Sequence, residues 1–346
     1  MAIDATILGA GIFGLSCAWA MARRGARVRV IDPNGVASGA SGGIVGALAP
    51  HVPEQWNAKK AFQLDSLLMS EAWWAEVAAA GGGDPGYART GRLQPISDAA
   101  AEALATDRAE GARHLWRGAA TWQVEPAPEA WSPGTPRVIR DTLSARIHPA
   151  CACDALERAL DAQGAEIVFK GPTRGPVLHA TGWQGLGTLS DAQGRTAGVG
   201  VKGQAVLLDL DRRDRPQLFV DGLHVVPHAD GTTAIGSTTE RDFDDAGTDA
   251  RLDALLVRAR AAVPDLAHAR VLQRWAGIRP RARSRAPLLG VWPGRPGHFI
   301  ANGGFKIGFG MAPKVAEVMA DLILEGHDRV PEALSTAGLA PWSGAD

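Results

Sequence analysis

The chain has 346 residues, 46% of them hydrophobic and 21% charged, with a formal net charge of -1. That length suits two interlocked domains rather than three, and the near-neutral balance excludes a global attraction to nucleic acid or to an anionic membrane. Cys17, Cys151 and Cys153 are odd in number and lack zinc-type spacing, which argues against a disulfide framework and a metal site and for a reducing, cytoplasmic setting.

In chain order, residues 2–8 read as an apolar strand, 12–24 as a helix and 26–31 as a second strand, a βαβ opening. The uncharged run from Ala5 to Ala22 has the length of a signal peptide or membrane span. However, Asp4 stands where a basic segment belongs, Gly9, Gly11 and Gly14 interrupt the run, and Arg23-Arg24 end it. A buried strand, a tight turn and a buried helix are therefore expected, with no membrane span. A small-residue loop at 34–46 precedes a helix at 59–80, whose apolar face carries Phe62, Leu64, Leu67, Leu68, Trp73, Trp74 and Val77. The breaker at 81–86 leads to a strand at 92–96, a helix at 99–116 and a proline-rich stretch at 126–136. Residues 149–163 read as a helix opened by Pro149, followed by strands at 166–169 and 176–180. From 199 to 237, short β segments alternate with turn residues, the pattern of an antiparallel sheet. A helix at 249–263, strands at 271–278 and 298–301, and a last helix at 311–325 complete the chain.

Gly9-Ala10-Gly11-Ile12-Phe13-Gly14 follows the first strand and opens the first helix, where GxGxxG lets the backbone turn tightly and approach a pyrophosphate. Asp32 ends the second strand, roughly 20 residues on, where a carboxylate accepts hydrogen bonds from a ribose. This is a Rossmann-like dinucleotide site, and by itself it does not separate NAD from FAD. Three further segments bear on that choice. They are Ser38-Gly39-Ala40-Ser41-Gly42-Gly43, the strand end His179-Ala180-Thr181-Gly182, and the glycine-rich turn 302–310 before the last helix. The positive end of that helix suits an anionic, reduced isoalloxazine.

With these segments in order, the sequence resembles the D-amino acid oxidase superfamily of FAD-dependent oxidoreductases, most closely its glycine oxidase and sarcosine oxidase-like branch. The resemblance runs over almost the whole chain and rests on GAGIFG with Asp32, SGASGGIVGALAPH at 38–51, HATG at 179–182, LHVVPHADGTTAIGSTTERDFDD at 223–245, WAGIRPRARSRAPLLG at 275–290 and ANGGFKIGFGMAP at 301–313. It implies α/β plus antiparallel β architecture: a discontinuous Rossmann-like FAD-binding domain (1–58, 138–198 and 280–346) and a mainly antiparallel substrate domain (59–137 and 199–279). It implies FAD held by Gly9, Gly11, Ile12, Phe13, Gly14, Asp32, Ser38, Ala40, Ser41, Gly46, Ala47, Thr181, Gly182, Gly303, Gly304, Phe305, Lys306 and Ile307. No cysteine or histidine stands out for a covalent link, so FAD is expected to be non-covalent. The implied reaction is oxidation of the C–N bond of a small amino acid or amine, of the glycine, sarcosine or D-amino acid type, to an imine by hydride transfer to flavin N5. Oxygen or another carrier would reoxidise the flavin.

Arg279, in WAGIRP, matches the arginine with which the family forks the substrate carboxylate, and a planar guanidinium suits that task where a lysine would supply charge alone. Arg281, Arg283 and Arg285 share the segment, and the sequence leaves open which arginine faces the flavin. Lys306 matches a second basic position near the substrate. His224 falls where relatives place a tyrosine, while the single tyrosine, Tyr87, lies far away in sequence. His228, His51 and Trp275 are further pocket candidates. The basic run RPRARSR leaves a second reading, removal of a carboxymethyl-type group from a modified tRNA wobble uridine, although the net charge of -1 speaks against a nucleic-acid partner.

Overall fold

The computed structural model describes residues 3–344. Residues 1, 2, 345 and 346, which include the expected strand start at Ala2 and the outermost ends of the expected FAD-binding segments, lie outside the described residues.

The N-terminal apolar run folds as strand, turn and helix. Ala5–Leu8 is followed by Gly9 at φ +106° and by the helix Ile12–Ala22, buried along its whole length. A Cβ on Gly14 would stand 1.9 Å from the Gly9 carbonyl oxygen, so the helix can press onto the turn only without a side chain there. The next strand, Val28–Ile31, lies parallel to the first.

These strands belong to a six-stranded sheet ordered Leu288–Val291, His298–Asn302, Val177–His179, Ala5–Leu8, Val28–Ile31, Glu166–Val168. Only the first two of that order pair antiparallel; the other neighbours run parallel. The sheet thus draws on the beginning, middle and end of the chain. Helix Ile12–Ala22 packs against helices Pro149–Ala162 and Gly308–Ala320, and the long helix Ala58–Gly81 packs on both of those. Asn57 starts the long helix by accepting from the Lys60 N–H at 3.1 Å, and Gly82 at φ +66° stops it.

The second sheet has eight strands in the order Arg270–Ala282, Gly198–Asp209, Thr233–Gly236, Leu223–Pro227, Gln217–Val220, Arg92–Pro95, Arg137–Asp141, Trp122–Pro126. Its neighbours are antiparallel except Gln217–Val220 with Arg92–Pro95. Leu93, Val206, Leu208, Val225 and Ile235 bury one face under Leu252, Leu255, Leu256 and Ala259 of helix Ala250–Ala262. Each such leucine contributes roughly 1.5–3 kcal/mol by leaving water.

The structure corrects several readings. The proline-rich stretch connects two unforeseen strands, Trp122–Pro126 and Arg137–Asp141. Three expected domain borders, at 137/138, 198/199 and 279/280, fall inside strands of the second sheet, because ladder pairing runs through each of them. The strand Leu288–Val291 and the short helix Gly182–Thr188 were also unforeseen, and the last helix begins at Gly308 and closes with a π-turn over Asp321–Glu325.

One buried group ties this fold to pH. His228 is 1% exposed, and its Nε2 donates to the Ile44 carbonyl oxygen at 2.8 Å. Burial first, and then the charge of His148, hold its pKa down at about 4. An unfolded histidine titrates near 6.5, so between about 6.5 and 4 the unfolded chain binds the extra proton and stability falls as pH falls. We expect the melting temperature to drop as pH is lowered from about 7 to about 5, and to drop less steeply in His228→Gln. Equal slopes by calorimetry would remove His228 from this account.

Candidate functional site

The dinucleotide loops converge on the carboxyl ends of the parallel strands. Asp32 receives the Ala10 N–H on Oδ2 and the Asn34 N–H on Oδ1, each at 2.9 Å, which fixes the carboxylate and leaves lone pairs for a ribose diol. The Ser41 hydroxyl, in the 3-10 turn Ala40–Gly42, accepts from the Ile12 N–H at 2.9 Å and so joins the second loop to the first. Ser38 stands exposed at the rim. A Cβ on Gly9 would sit 2.3 Å from the Ala180 carbonyl oxygen, which brings the strand end before Thr181 and Gly182 against the first turn. Asn302 Nδ2 donates to the Gly182 carbonyl oxygen at 2.9 Å, and a Cβ on Gly304 would lie 3.0 Å from the Phe13 ring. Phe305, at φ +45°, and Lys306 follow, then Ile307 caps helix Gly308–Ala320 without a side-chain bond to its first-turn N–H groups. On the other side, Gly46 approaches Ile147 so closely that a Cβ would stand 1.9 Å from its carbonyl oxygen. The adjoining Ala47–Leu48 pairs with Ala145–Arg146.

The three expected catalytic residues meet at one end of the antiparallel sheet. The Arg279 guanidinium donates from Nη1 to the Thr238 carbonyl oxygen at 3.3 Å and from Nη2 to the Ser237 hydroxyl at 2.5 Å. Among the described residues, none of the ion pairs involves Arg279. Surrounding protein lowers its pKa to about 10, with the charge of Glu240 acting the other way, so the fork stays charged at neutral pH. Lys306 Nζ donates to Thr239 Oγ1 at 2.8 Å, on the next residue of the same segment. Although Lys306 is exposed as a residue, crowding around its ammonium and then the Arg279 charge lower its pKa. His224 stands across the ladder from Phe219, ring centroids 4.7 Å apart, with its Nδ1 buried and unpartnered. Burial, then the charges of Arg92 and Lys306, hold its pKa at about 3, so its imidazole is neutral.

Of the neighbouring arginines, Arg281 lies over the Phe305 ring at 6.0 Å and Arg283 donates to the Thr196 carbonyl oxygen at 2.9 Å; Arg285 is exposed. Only Arg279 reaches the shelf Ser237–Thr239. His51 is tied to Gln63, and His228 to Ile44, so neither joins Arg279. Trp275 lies against Gly43 of the cofactor loop, whose Cβ position is 3.3 Å from its ring. The shelf itself went unforeseen, as did Arg92, whose Nε pairs with buried Asp141 at 2.8 Å beneath Phe219. A cavity of about 650 Å3 borders the shelf through Ser237, Thr238, Thr239 and Glu240, but none of the glycine loops lines it, so it is not the seat of the dinucleotide.

The cradle fits FAD on its own geometry: bare backbone at Gly9 and Gly11, a braced carboxylate at Asp32, and a helix start with free donors. A Cβ on Gly11 would meet only the Ser41 hydroxyl, at 3.1 Å, so the open side of this glycine faces the cofactor loop rather than the core. Gly11→Val is therefore expected to fold but to lose FAD, measured as flavin absorbance per protein after purification. Normal FAD content would refute this placement.

A family model described as FAD dependent oxidoreductase matches residues 4–322. Glycine oxidase of Geobacillus kaustophilus is 27% identical over 92% of each chain, and glycine oxidase of Pseudomonas aeruginosa is 33% identical over 36% of this chain and 35% of that one. The crystal structure of the Geobacillus kaustophilus enzyme superposes with a TM-score of 0.81 at 23% identity, covering 95% of this chain and 96% of that one. Iminodiacetate oxidase from Chelativorans sp. BNC1 superposes with a TM-score of 0.81 at 22% identity, covering 95% and 98%. The chain belongs to the family of FAD-dependent oxidoreductases.

Proposed function

We propose that this FAD-dependent enzyme oxidises the C–N bond of a small amine that carries a carboxylate, of the glycine, sarcosine or D-amino acid type, to an imine that water then hydrolyses. The observation that carries the reading is Arg279: a charged fork, held on two sides by Ser237 and Thr238, with no ion-pair partner among the described residues. A desolvated guanidinium without an ion-pair partner is costly, and a substrate carboxylate offsets that cost with two charge-assisted hydrogen bonds. The names of the relatives, glycine oxidase and iminodiacetate oxidase, support the same substrate class.

When bound, non-covalent FAD supplies the two-electron acceptor, taking hydride from the substrate α-carbon. The chain supplies position and field. Arg279 fixes the carboxylate and so aims the α-C–H. Lys306 adds a second positive charge beside the same shelf. His224, neutral with a pKa of about 3, presents a polar edge without adding charge, and no titration of its ring is expected across the working pH range. No separate general base is required if the amine binds neutral.

Arg279→Ala should weaken carboxylate substrates by about 2–5 kcal/mol and leave FAD content unchanged, and Arg279→Lys should recover only part of the loss. A carboxylate-free amine should be a poor substrate of the wild type and respond far less. Because the fork is protonated below a pKa of about 10, the Michaelis constant for the amino acid should rise as pH climbs through that value. Anaerobic flavin reduction with a panel of amines gives the readout, and readmitting oxygen then tells oxidase from dehydrogenase. Unaltered saturation in Arg279→Ala would end the reading.

A further inference from the structure

Strand Gly198–Asp209 pairs with strand Arg270–Ala282 so that Val201 faces Arg279, Gly203 faces Gly277, and Ala205 faces Trp275. Directly opposed residues share a face of the sheet, and so do residues two apart, so all six stand on one surface. Arg279 and Trp275 flank the glycine pair, and both lean onto it. A Cβ on Gly203 would lie 2.0 Å from Nη2, 2.1 Å from Nη1 and 2.2 Å from Cζ of Arg279. The forked end of the guanidinium, Nη1 and Nη2 foremost, therefore occupies the space that a side chain at 203 would fill. A Cβ on Gly277 would lie 2.5 Å from both Cη2 and Cζ2 of Trp275.

Backbone conformation does not account for these glycines. Neither is among the positive-φ positions, and glycine in a strand interior weakens the strand. What each position supplies is the absence of a side chain. We infer that Gly203 is a positioning residue for the Arg279 fork, leaving empty the space that its two terminal nitrogens occupy while Ser237 and Thr238 accept their hydrogen bonds. The inference rests on the reading of Arg279 as the carboxylate anchor. The next residue braces the shelf from the other face of the strand. Fully buried Gln204 donates its N–H to Thr238 Oγ1 at 2.8 Å and its Nε2 to Glu240 Oε1 at 2.9 Å. Residue 203 thus leaves room for the cation, and residue 204 holds the Thr238 segment whose carbonyl oxygen the cation meets.

The test is a double-mutant cycle with paired substrates: glycine, sarcosine, D-alanine and D-proline against their carboxylate-free counterparts methylamine, dimethylamine, ethylamine and pyrrolidine. The new methyl of Gly203→Ala meets only the far end of a flexible side chain, so the protein should fold, bind FAD and melt as the wild type does. Its kcat/KM for the best carboxylate substrate should fall roughly 10- to 100-fold, mainly through KM, with little change for the matching amine. In an Arg279→Lys background the same Gly203→Ala change should cost less than about threefold, because a compact ammonium on a flexible stem does not need the space that the fork fills. A loss of equal size in both backgrounds assigns Gly203 a merely structural role and overturns the inference. So does an undisturbed Gly203→Ala enzyme in which Arg279→Ala is still damaging. If Arg279→Ala itself leaves kcat/KM intact, the anchor reading fails first.

Discussion

The register between Gly198–Asp209 and Arg270–Ala282 governs where the chemistry can occur. Side chains alternate along a strand, so a slip of Arg270–Ala282 by one residue would turn Arg279 and Trp275 to the other face. The ladder is pinned by contacts at both ends of the functional stretch. Gly203 and Gly277 accept the two flat groups, while Arg281 bridges to Gly304, next to the turn that opens the last helix. A bulge between Leu207 and Leu208 absorbs the irregularity farther along, away from the arginine. The same ladder thereby joins the substrate sheet to the cofactor cradle. Gly236 adds a second seam, since a Cβ there would stand 2.9 Å from Val45 in the cofactor loop.

Charge in this region is arranged asymmetrically. Arg279 and Lys306 bring two cations to neighbouring residues of one shelf, and both have lowered pKa values because protein replaces water around them. Arg92 is different, since Asp141 neutralises it in a buried pair. His224 stays uncharged between them. The positive potential here comes from two groups that make no close ion pair among the described residues, a field suited to an anionic ligand and an electron-accepting ring.

Much of the cradle was legible because its physics is local. GxGxxG, the carboxylate at the next strand end and the glycine turn before the last helix each act within a few residues of sequence, so their spacing reports their role. The substrate side is read less well for a physical reason. Four arginines in RPRARSR look alike in sequence and stand at alternate positions, so the pleat cannot separate them; place along the ladder does, Arg279 lying opposite Val201 beside Ser237 and Thr238 and Arg283 beyond the strand end at Thr196. Gly203 carried no signal at all, because its meaning lies in a side chain from a strand more than seventy positions away. The hairpin strands Trp122–Pro126 and Arg137–Asp141 were hidden by the prolines of their connection. Glu125, Arg137 and Arg140 also gave them too polar a look for strands.

The central sheet sets first-strand residues beside strands made last. Ala5–Leu8 lies next to Val177–His179, which lies next to His298–Asn302. Contacts of such sequence separation form slowly, because the entropy of closing long loops is lost before the contacts can stabilise anything. During synthesis the N-terminal βαβ unit therefore emerges with its glycine turn made but without the neighbours that enclose it. Gly304 and helix Gly308–Ala320 reach the Phe13 side of the turn only after the chain has been made as far as that helix. A chain cut before Gly304 therefore carries the glycine motif without the turn that packs against Phe13.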